Sequence, residues 1–430
     1  MKYLTPIFAF SLFLISCQSK KTSIVDPAFV DSLITNYAAP KSMKTNQANL
    51  LFWKSRISTH TPDYSNTSKY AAALVTRFHE LGEIEDLKES DSLLVQLSAQ
   101  YQQNEVGPIF TLISHALLQH RFTMADSLLR VAKTMGLKKY ELAASSFDVD
   151  FELGRMVEAS SHLQNMQLAS DFGYQFRKSK LMHYQGELDS AIVAMQKAVD
   201  NAAHDQSLKL AAVSNLGDLY MHAGKMDQAY QCFKNCLSEN AGDFHSILGI
   251  GWIALVHDQQ DSVAEKAFQF VGKKTASPDY LFKLIAVAEQ RSDSLMQIKY
   301  AKAFEKIVSN PLYGNMYNKY LIQLYTGILN NPKKAVALAE QELKNRNTSQ
   351  TNAWYVWALQ ADNQIDKANA VYEQRVSGKP LEGLELYWMG KRMQSLNKGY
   401  NAMQYFKEAD KNKFDLSPAI VKDLTTLLEK

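Results

Sequence analysis

Small residues recur along this chain at a nearly constant spacing. Between Ser90 and Ala402 they are separated by steps of 32 to 38 residues, clustered around 34. A period of this size is typical of a helical solenoid, in which each repeat contributes two helices and stacks on its neighbours. We therefore predict an all-α, right-handed superhelical solenoid of about ten helix-turn-helix repeats. The recurring residues are Ser90, Ala125, Ala159, Ala191, Ala229, Ala264, Ala301, Ala335, Ala368 and Ala402.

One repeat near the middle of the chain shows how such a unit would pack. Leu216 and Tyr220 lie four residues apart and share one face of a first helix, with Gly217 on the same face. Glycine costs about 1 kcal/mol of helix propensity relative to alanine, so its presence indicates that a second helix approaches closely. We expect Ala229 where the two helices cross and Phe233 to fill the gap one turn later.

This pattern resembles the tetratricopeptide repeat, written W-x2-L-G-x2-Y…A-x3-F…P. Val213 stands in the tryptophan position and the closing proline is absent, whereas the other positions match. The resemblance covers roughly residues 75 to 415 and implies a solenoid that binds other molecules rather than one that carries out catalysis. The matching residues are Leu216, Gly217, Tyr220, Ala229 and Phe233 in one repeat, and Gly390, Ala402 and Phe406 in the last.

The N-terminus has the features of an export signal. Lys2 precedes an apolar run, Ile7 to Ile15, that is too short to span a membrane. A basic residue, a short apolar core and a small residue before the cleavage point are typical of a secretory signal peptide, here 1–16. The tetrad Leu14-Ile15-Ser16-Cys17 resembles the bacterial lipobox, which implies that Cys17 is acylated, for example with palmitate. An ordinary signal peptide that happens to contain a cysteine is the alternative.

The remaining segments divide around the repeats. We expect residues 17–28 to form a lipidated cysteine and flexible tether, and 29–74 an N-terminal helical region. The solenoid would occupy 75–415, and a capping helix at 416–430 would keep the last repeat's apolar edge out of water. By analogy with lipoproteins whose second residue is not aspartate, Gln18 favours the outer membrane, with the folded part facing the periplasm.

A second resemblance is narrower. The order of several landmarks from Phe52 onward is similar to that of a group of exported bacterial tetratricopeptide-repeat proteins to which no catalytic residue is assigned. This likeness supports the fold and the location and implies nothing about chemistry. The landmarks are Phe52–Arg56, Leu216–Tyr220, Ala335–Leu343, Ala353–Leu359 and Leu386–Gly390.

Charge and cysteine content exclude several functions. The formal net charge is +3 with no basic run, so the chain lacks the electrostatic pattern of a nucleic-acid-binding protein. Cys232 and Cys236 lie four residues apart on one helix, where their side chains point poorly for a disulfide. We expect two buried thiols there, because no neighbouring His or Cys pair completes a metal site.

Catalytic motifs are missing from the sequence. His79-Glu80 begins like a zinc-protease helix, but the second histidine is absent. Asp148, Asp150 and Glu152 alternate along one helix, which spreads them over different faces and favours a solvated surface over an acid/base pair. There is no nucleophile elbow, phosphate loop or dinucleotide fingerprint. We predict that the protein is not an enzyme and needs no cofactor or metal.

The sequence offers better candidates for ligand-binding residues than for catalytic ones. If first helices line the concave face, Tyr317, Tyr320, Trp357 and Tyr387 lie near a groove in the C-terminal third. Such side chains combine apolar area with a hydrogen-bonding tip and suit peptide or carbohydrate ligands. Packing of these aromatics between helices is the alternative. The Lys/Asn clamp by which some repeat domains grip a peptide C-terminus is absent, since Phe176 and Gly249 occupy the basic positions.

Two functions follow from these features. The first is a membrane-anchored scaffold that binds another envelope protein or peptide on the solenoid surface. The second is a ligand-binding lipoprotein that captures glycan or peptide for a transporter. The groove aromatics distinguish them: exposure on one concave wall favours ligand capture, and burial between helices favours the scaffold.

Overall fold

The computed structural model describes residues 23–58, 60–101, 104–166, 171–202 and 204–429, without the side chains of Gly399 and Tyr400. Every regular element in these ranges is helical. The expected signal peptide and Cys17 lie outside the described residues. The all-α solenoid predicted from the repeat period is confirmed.

Helices α1 to α12 are α1 (Pro27–Thr35), α2 (Lys41–Lys54), α3 (Tyr64–Leu81), α4 (Ile84–Gln100), α5 (Val106–Leu118), α6 (Phe122–Thr134), α7 (Lys139–Glu152), α8 (Met156–Met166), α9 (Phe172–Tyr184), α10 (Leu188–Asn201), α11 (Gln206–His222) and α12 (Met226–Glu239). Helices α13 to α23 are α13 (Phe244–Val256), α14 (Asp261–Gly272), α15 (Asp279–Gln290), α16 (Ser294–Val308), α17 (Asn318–Thr326), α18 (Pro332–Asn345), α19 (Ser349–Ala361), α20 (Ile365–Val371), α21 (Gly383–Ser395), α22 (Gly399–Asp410) and α23 (Pro418–Leu428). A π-helical turn, Tyr372–Val376, extends α20.

Ten consecutive helix pairs run from α3/α4 to α21/α22 in the described part of the chain. All ten recurring small residues lie on the second helix of a pair, and each is almost completely buried. A small side chain at that point lets the two helix backbones approach closely at their crossing. The 34-residue period therefore marks helix crossings.

Phe233 of α12 shows how consecutive repeats interlock. Its ring is fully buried between α11 and α13. A Cβ atom added to Gly217 would lie 2.7 Å from this ring, and one added to Gly249 would lie 2.6 Å from it. Two successive first helices thus lack a side chain where the phenyl ring sits. Gly390 and Phe406 repeat this contact in the last pair.

The superhelix is wound so tightly that successive turns touch. The turn between the two helices of an early repeat lies against the segment that leads into a later repeat, six repeats further along the chain. The α3/α4 turn meets the segment before α15, and the α5/α6 turn meets the segment before α17. Ala276 N donates to Leu81 O at 2.7 Å, and Asn315 N donates to Gln119 O at 3.2 Å. Further along, Arg346 pairs with Glu152 at 3.3 Å. These contacts enclose the inner face of the superhelix.

The segment boundaries differ from those expected. The first pair begins at Tyr64, before residue 75, because the Asp63 side chain caps α3 by accepting from Asn66 N at 3.1 Å. Residues 23–28 do not all form a free tether. Ile24 N and Val25 N donate to Asp258, and Val25 is buried, so this stretch is docked against the solenoid.

The C-terminal segment does more than cover the last repeat. After α22 the chain folds back, and α23 packs against α15 as well as α22. Leu424 and Leu427 are buried, with Leu428 partly buried against the same core. A Cβ atom on Gly224 would lie 2.9 Å from the Phe414 ring. The segment from Asn412 onward therefore reaches the middle of the solenoid.

Candidate binding cavity

A cavity of about 810 Å³ lies on the inner side of the superhelix. It is lined from the first helices of seven consecutive pairs, α9 to α21, and from the folded-back C-terminal segment. Its size falls within the range of about 300–1,000 Å³ that is usual for sites holding small molecules or short peptide segments. One residue from each of these seven first helices is His183, Asp218, Trp252, Lys283, Tyr320, Trp357 and Tyr387.

The C-terminal segment forms one wall of this cavity. Trp252 Nε1 donates to the carbonyl oxygen of Phe414 at 2.8 Å. Asp415 Oδ1 lies 2.5 Å from His222 Nδ1, an ion pair when the imidazole is protonated. Tyr387 donates its hydroxyl to Asp423 at 2.6 Å. Together these contacts fix the wall to both α13 and α21.

Three of the four predicted groove aromatics line the cavity. Tyr320 is 37 % exposed, and Trp357 and Tyr387 are partly buried. The placement of Tyr317 in the groove is wrong. It is 8 % exposed and packs edge-on against Phe304 and Tyr313 in the core. The reason is that Tyr317 is the residue just before α17, outside the helix whose face lines the cavity, and its ring packs into the core.

Sequence reasoning missed other aromatic residues of the cavity. Trp388 stacks parallel to Trp357, with ring centroids 5.6 Å apart and planes 5° from parallel. Phe282 meets Tyr320 edge to face at 4.5 Å. Phe282 and Trp388 lie on first helices, α15 and α21, and that placement was the signal that could have found them. The result is an apolar wall with hydrogen-bonding tips.

Another part of the cavity wall, away from these aromatic rings, carries histidine side chains that are paired with carboxylates. His245 Nε2 lies 2.9 Å from Asp218 Oδ2. Partial desolvation on the inner side of the superhelix lowers the pKa of His245, although its side chain is 58 % exposed, but Asp218 outweighs this effect and raises the pKa to about 9. His222 likewise has a raised pKa, because the Asp415 carboxylate outweighs its burial. Burial and the neighbouring His222 lower the pKa of His183.

Lys319 joins the polar groups to the aromatic wall. Its Nζ lies 3.0 Å from both Glu382 and Glu385, and Glu385 is fully buried. Glu385 also accepts from Trp354 Nε1 at 2.6 Å. The Lys319 ammonium holds the pKa of Glu382 at about 2. Both Trp354 and Lys319 contact Glu385 Oε1, while the buried Oε2 has no hydrogen-bond partner among the described residues. The cluster ties α17, α19 and α21 together.

Lys283 differs from the other cations of the cavity. It makes no ion pair or hydrogen bond with any described residue, and its Nζ lies 3.7 Å from the centre of the Trp252 ring. Burial lowers its pKa to about 8, although Asp218, Asp279 and Asp415 act in the opposite direction. The ammonium is therefore held on an aromatic face without a direct counter-ion.

The remaining candidates do not form a reactive site. Asp148, Asp150 and Glu152 pair with Arg177, Arg155 and Lys180 respectively; Asp150 is buried, contrary to the expected solvated surface. Burial raises the pKa of Cys232 to about 11 and of Cys236 to about 12, and the two thiols are not bonded.

The described ranges contain neither a three-ligand metal site nor a membrane-spanning helix. No group of three His, Cys, Asp or Glu side chains there could hold a metal ion. No helix among the same residues combines the length and apolar character needed to span a membrane.

Comparisons with known proteins place the chain only at the level of fold. No family model and no curated protein matches it. Similar solved structures include a tetratricopeptide repeat protein from Parabacteroides merdae, at 13 % identity and a TM-score of 0.35, covering 68 % of this chain and 99 % of that one. Another is pilF of Pseudomonas aeruginosa, at 13 % identity and a TM-score of 0.37, covering 49 % of this chain and 96 % of that one. A third is a human IFIT1 dimer with PPP-AAAA, at 13 % identity and a TM-score of 0.47, covering 72 % of this chain and 71 % of that one. The chain is a helical repeat protein whose helix pairs are consistent with the tetratricopeptide-repeat pattern of its sequence.

Proposed function

We propose that this protein is a non-catalytic binding protein that holds part of a partner, most simply a peptide segment, in the central cavity. The observation that carries the proposal is the shared wall made by Tyr320, Trp357 and Tyr387. Aromatic side chains with polar tips provide large contact area at a low cost in conformational entropy. The other lining carboxylates and cations are mostly paired with one another, which suits recognition better than acid/base chemistry.

Capture of a glycan for a transporter is the second candidate. The stacked Trp357 and Trp388 rings favour it, because an aromatic face on a cavity wall can pack against the apolar face of a sugar ring. A peptide is preferred because several charged side chains, including Lys283 and Asp279, line the same space. Peptides offer charged groups that neutral sugars lack.

The proposal includes the location of the protein. A signal peptide at 1–16 and acylation of Cys17 would anchor the chain in the bacterial envelope, on the periplasmic side of the outer membrane. Two or three acyl chains give durable attachment where a single chain is marginal. A Cys17→Ala variant should then move from the membrane fraction to the soluble fraction of cells, with Cys232→Ala as the control. Retention of Cys17→Ala in the membrane would contradict the anchor while leaving cavity binding untouched.

Native mass spectrometry tests cavity binding itself. The full chain would be purified from membranes in mild detergent, together with Tyr320→Ala and Trp357→Ala. We expect the native protein to carry a bound peptide or glycan whose mass identifies its class, and both variants to lose it. Val193→Ala, an exposed position on α10, is the control that should keep it.

The proposal fails in two recognisable ways. An adduct that persists in both cavity variants would place binding elsewhere on the solenoid. A native protein that shows only its own mass would contradict the proposed holding of a ligand in the cavity. A sugar mass in place of a peptide mass would favour the second candidate.

A further inference from the structure

Lys283 stands out because every acidic group that acts on it is already engaged elsewhere. Asp218 is paired with His245, and Asp415 with His222. Asp279, one turn earlier on α15, accepts from Ser277 Oγ at 2.7 Å. The ammonium of Lys283 is left with the Trp252 ring and no direct counter-ion among the described residues.

The surroundings of this ammonium set limits on what could pair with it. Lys283 is partly buried, and a partly desolvated cation without a counter-ion is less favourable than a paired one, so an anionic group arriving at Lys283 relieves that cost. Lys283 offers one unpaired positive charge, and Asp218, Asp279 and Asp415 repel any negative charge beyond the one that it neutralises. The site is thus matched to one negative charge.

The same cavity supplies the complementary apolar contacts. Phe282 precedes Lys283 on α15 and meets Tyr320 edge to face, and both rings line the cavity with Trp357. A ligand whose charge reaches Lys283 can therefore lay an aromatic or aliphatic body along this wall.

We infer that Lys283 is the specificity-determining contact for a monocarboxylate ligand with an aromatic or apolar body. This inference rests on the proposed function and names the ligand chemistry of the same cavity. The carboxylate can belong to the end of a peptide or to a free organic acid. Both sources present the same group to the ammonium, and they differ in the length of the body that follows.

Quenching of tryptophan fluorescence measures ligand binding in the cavity directly. Of the 5 tryptophans in the chain, Trp252, Trp357 and Trp388 line the cavity. The probes are N-acetyl-leucyl-phenylalanine as the free acid, the same dipeptide as its C-terminal amide, 3-phenylpropionate and phenyl phosphate. We expect the native chain to bind the free acid at least about tenfold more tightly than the amide. Phenyl phosphate should bind more weakly than 3-phenylpropionate.

Variants of the lysine separate charge from structure. Lys283→Met keeps the length of the side chain and should reduce the affinity for the free acid to that for the amide. Lys283→Arg keeps the charge and should retain most of the preference, which a merely structural role would not require. Lys302→Met, at an exposed position on α16, should behave as the native chain does. Tight binding of the dipeptide with weak binding of 3-phenylpropionate would identify the peptide as the source.

The possible failures are distinguishable. If acid and amide bind equally, the inference is overturned and cavity binding stands. If no probe binds but the membrane-purified protein carries an adduct that Trp357→Ala loses, the inference about Lys283 is overturned and the proposed cavity binding still stands. If no probe binds and no adduct is present, the proposed function is contradicted with it.

Discussion

Trp252 and Phe414 are 162 residues apart in the sequence, yet the indole Nε1 of Trp252 donates a 2.8 Å hydrogen bond to the carbonyl oxygen of Phe414. This bond fixes the folded-back C-terminal segment to α13. The segment thereby becomes a wall of the cavity instead of only a cap on the last repeat.

Trp252→Phe should loosen that wall. The substitution keeps most of the aromatic packing and removes one hydrogen bond, worth about 1 kcal/mol, and it leaves the Phe414 carbonyl without this partner. Amide hydrogen exchange across α23 should become roughly fivefold faster, a factor that corresponds to that energy. Trp53→Phe, far from the cavity, should leave α23 unchanged. Equal exchange in Trp252→Phe and the native chain would mean that the bond does not hold the segment.

Gly217→Ala should destabilise the middle of the solenoid. The added Cβ would lie 2.7 Å from the Phe233 ring, which has Gly249 on its other side and little room to move. Overpacking of this kind costs about 1–3 kcal/mol and outweighs the roughly 1 kcal/mol that alanine gains in helix propensity. The urea midpoint should fall, whereas Asn215→Ala, exposed on the same helix, should leave it within error. An increased midpoint for Gly217→Ala would show that the two helices do not need the glycine.

Lys319→Met should be strongly destabilising because it leaves the buried carboxylate of Glu385 without its cation. Breaking a buried pair by removing one partner costs about 3–5 kcal/mol. The double variant Lys319→Met/Glu385→Gln should recover most of the loss, since the glutamine oxygen can still accept from Trp354. Thermal unfolding of the three proteins measures both effects. A double variant no more stable than the single one would contradict the pairing of Lys319 with Glu385.

Stability should decline between about pH 6.5 and pH 9 through His245. Asp218 raises its folded pKa to about 9 against the effect of burial, with Asp243 assisting and Lys283 opposing. In the unfolded chain histidine titrates near 6.5, so the stabilisation is complete below about pH 6.5 and is lost as the pH approaches 9. The side chain is 58 % exposed, and solvent screening limits the effect to about 1 kcal/mol.

His245→Gln should therefore flatten the dependence of the urea midpoint on pH over this interval. His204→Gln, at an exposed position, is the matched control and should keep the native slope. If the midpoint of the native chain is constant from pH 6.5 to pH 9, the ion pair with Asp218 does not contribute to stability.

The fold could be predicted because it depends on local repetition. Ala229 and Ala402 mark helix crossings that each repeat must form, and a glycine such as Gly217 marks a close approach. The positions of Tyr320, Trp357 and Tyr387 followed from the rule that first helices line the inner face. Tyr317 did not follow, because it lies just before α17 and the sequence pattern did not show that the helix begins after it.

The polar half of the cavity could not be predicted in this way. Asp415 reaches His222 only because the chain folds back across the solenoid, and no periodicity specifies that contact. Lys283 is an ordinary lysine in the sequence. Its ammonium lies on the Trp252 ring without a counter-ion because three nearby carboxylates contact other groups. Those contacts form only in the folded protein, so the sequence alone does not show them.

Site-specific photo-crosslinking in cells tests the central claim, that the cavity holds part of a partner. A benzophenone amino acid would be placed at Tyr320 inside the cavity and, in a separate strain, at Val157, which is 82 % exposed on α8. We predict one defined crosslinked species from position 320 and none from position 157. Loss of that species when Trp357→Ala is added would locate the contact in the cavity. Crosslinking from position 157 alone, or from neither position, would contradict binding in the cavity.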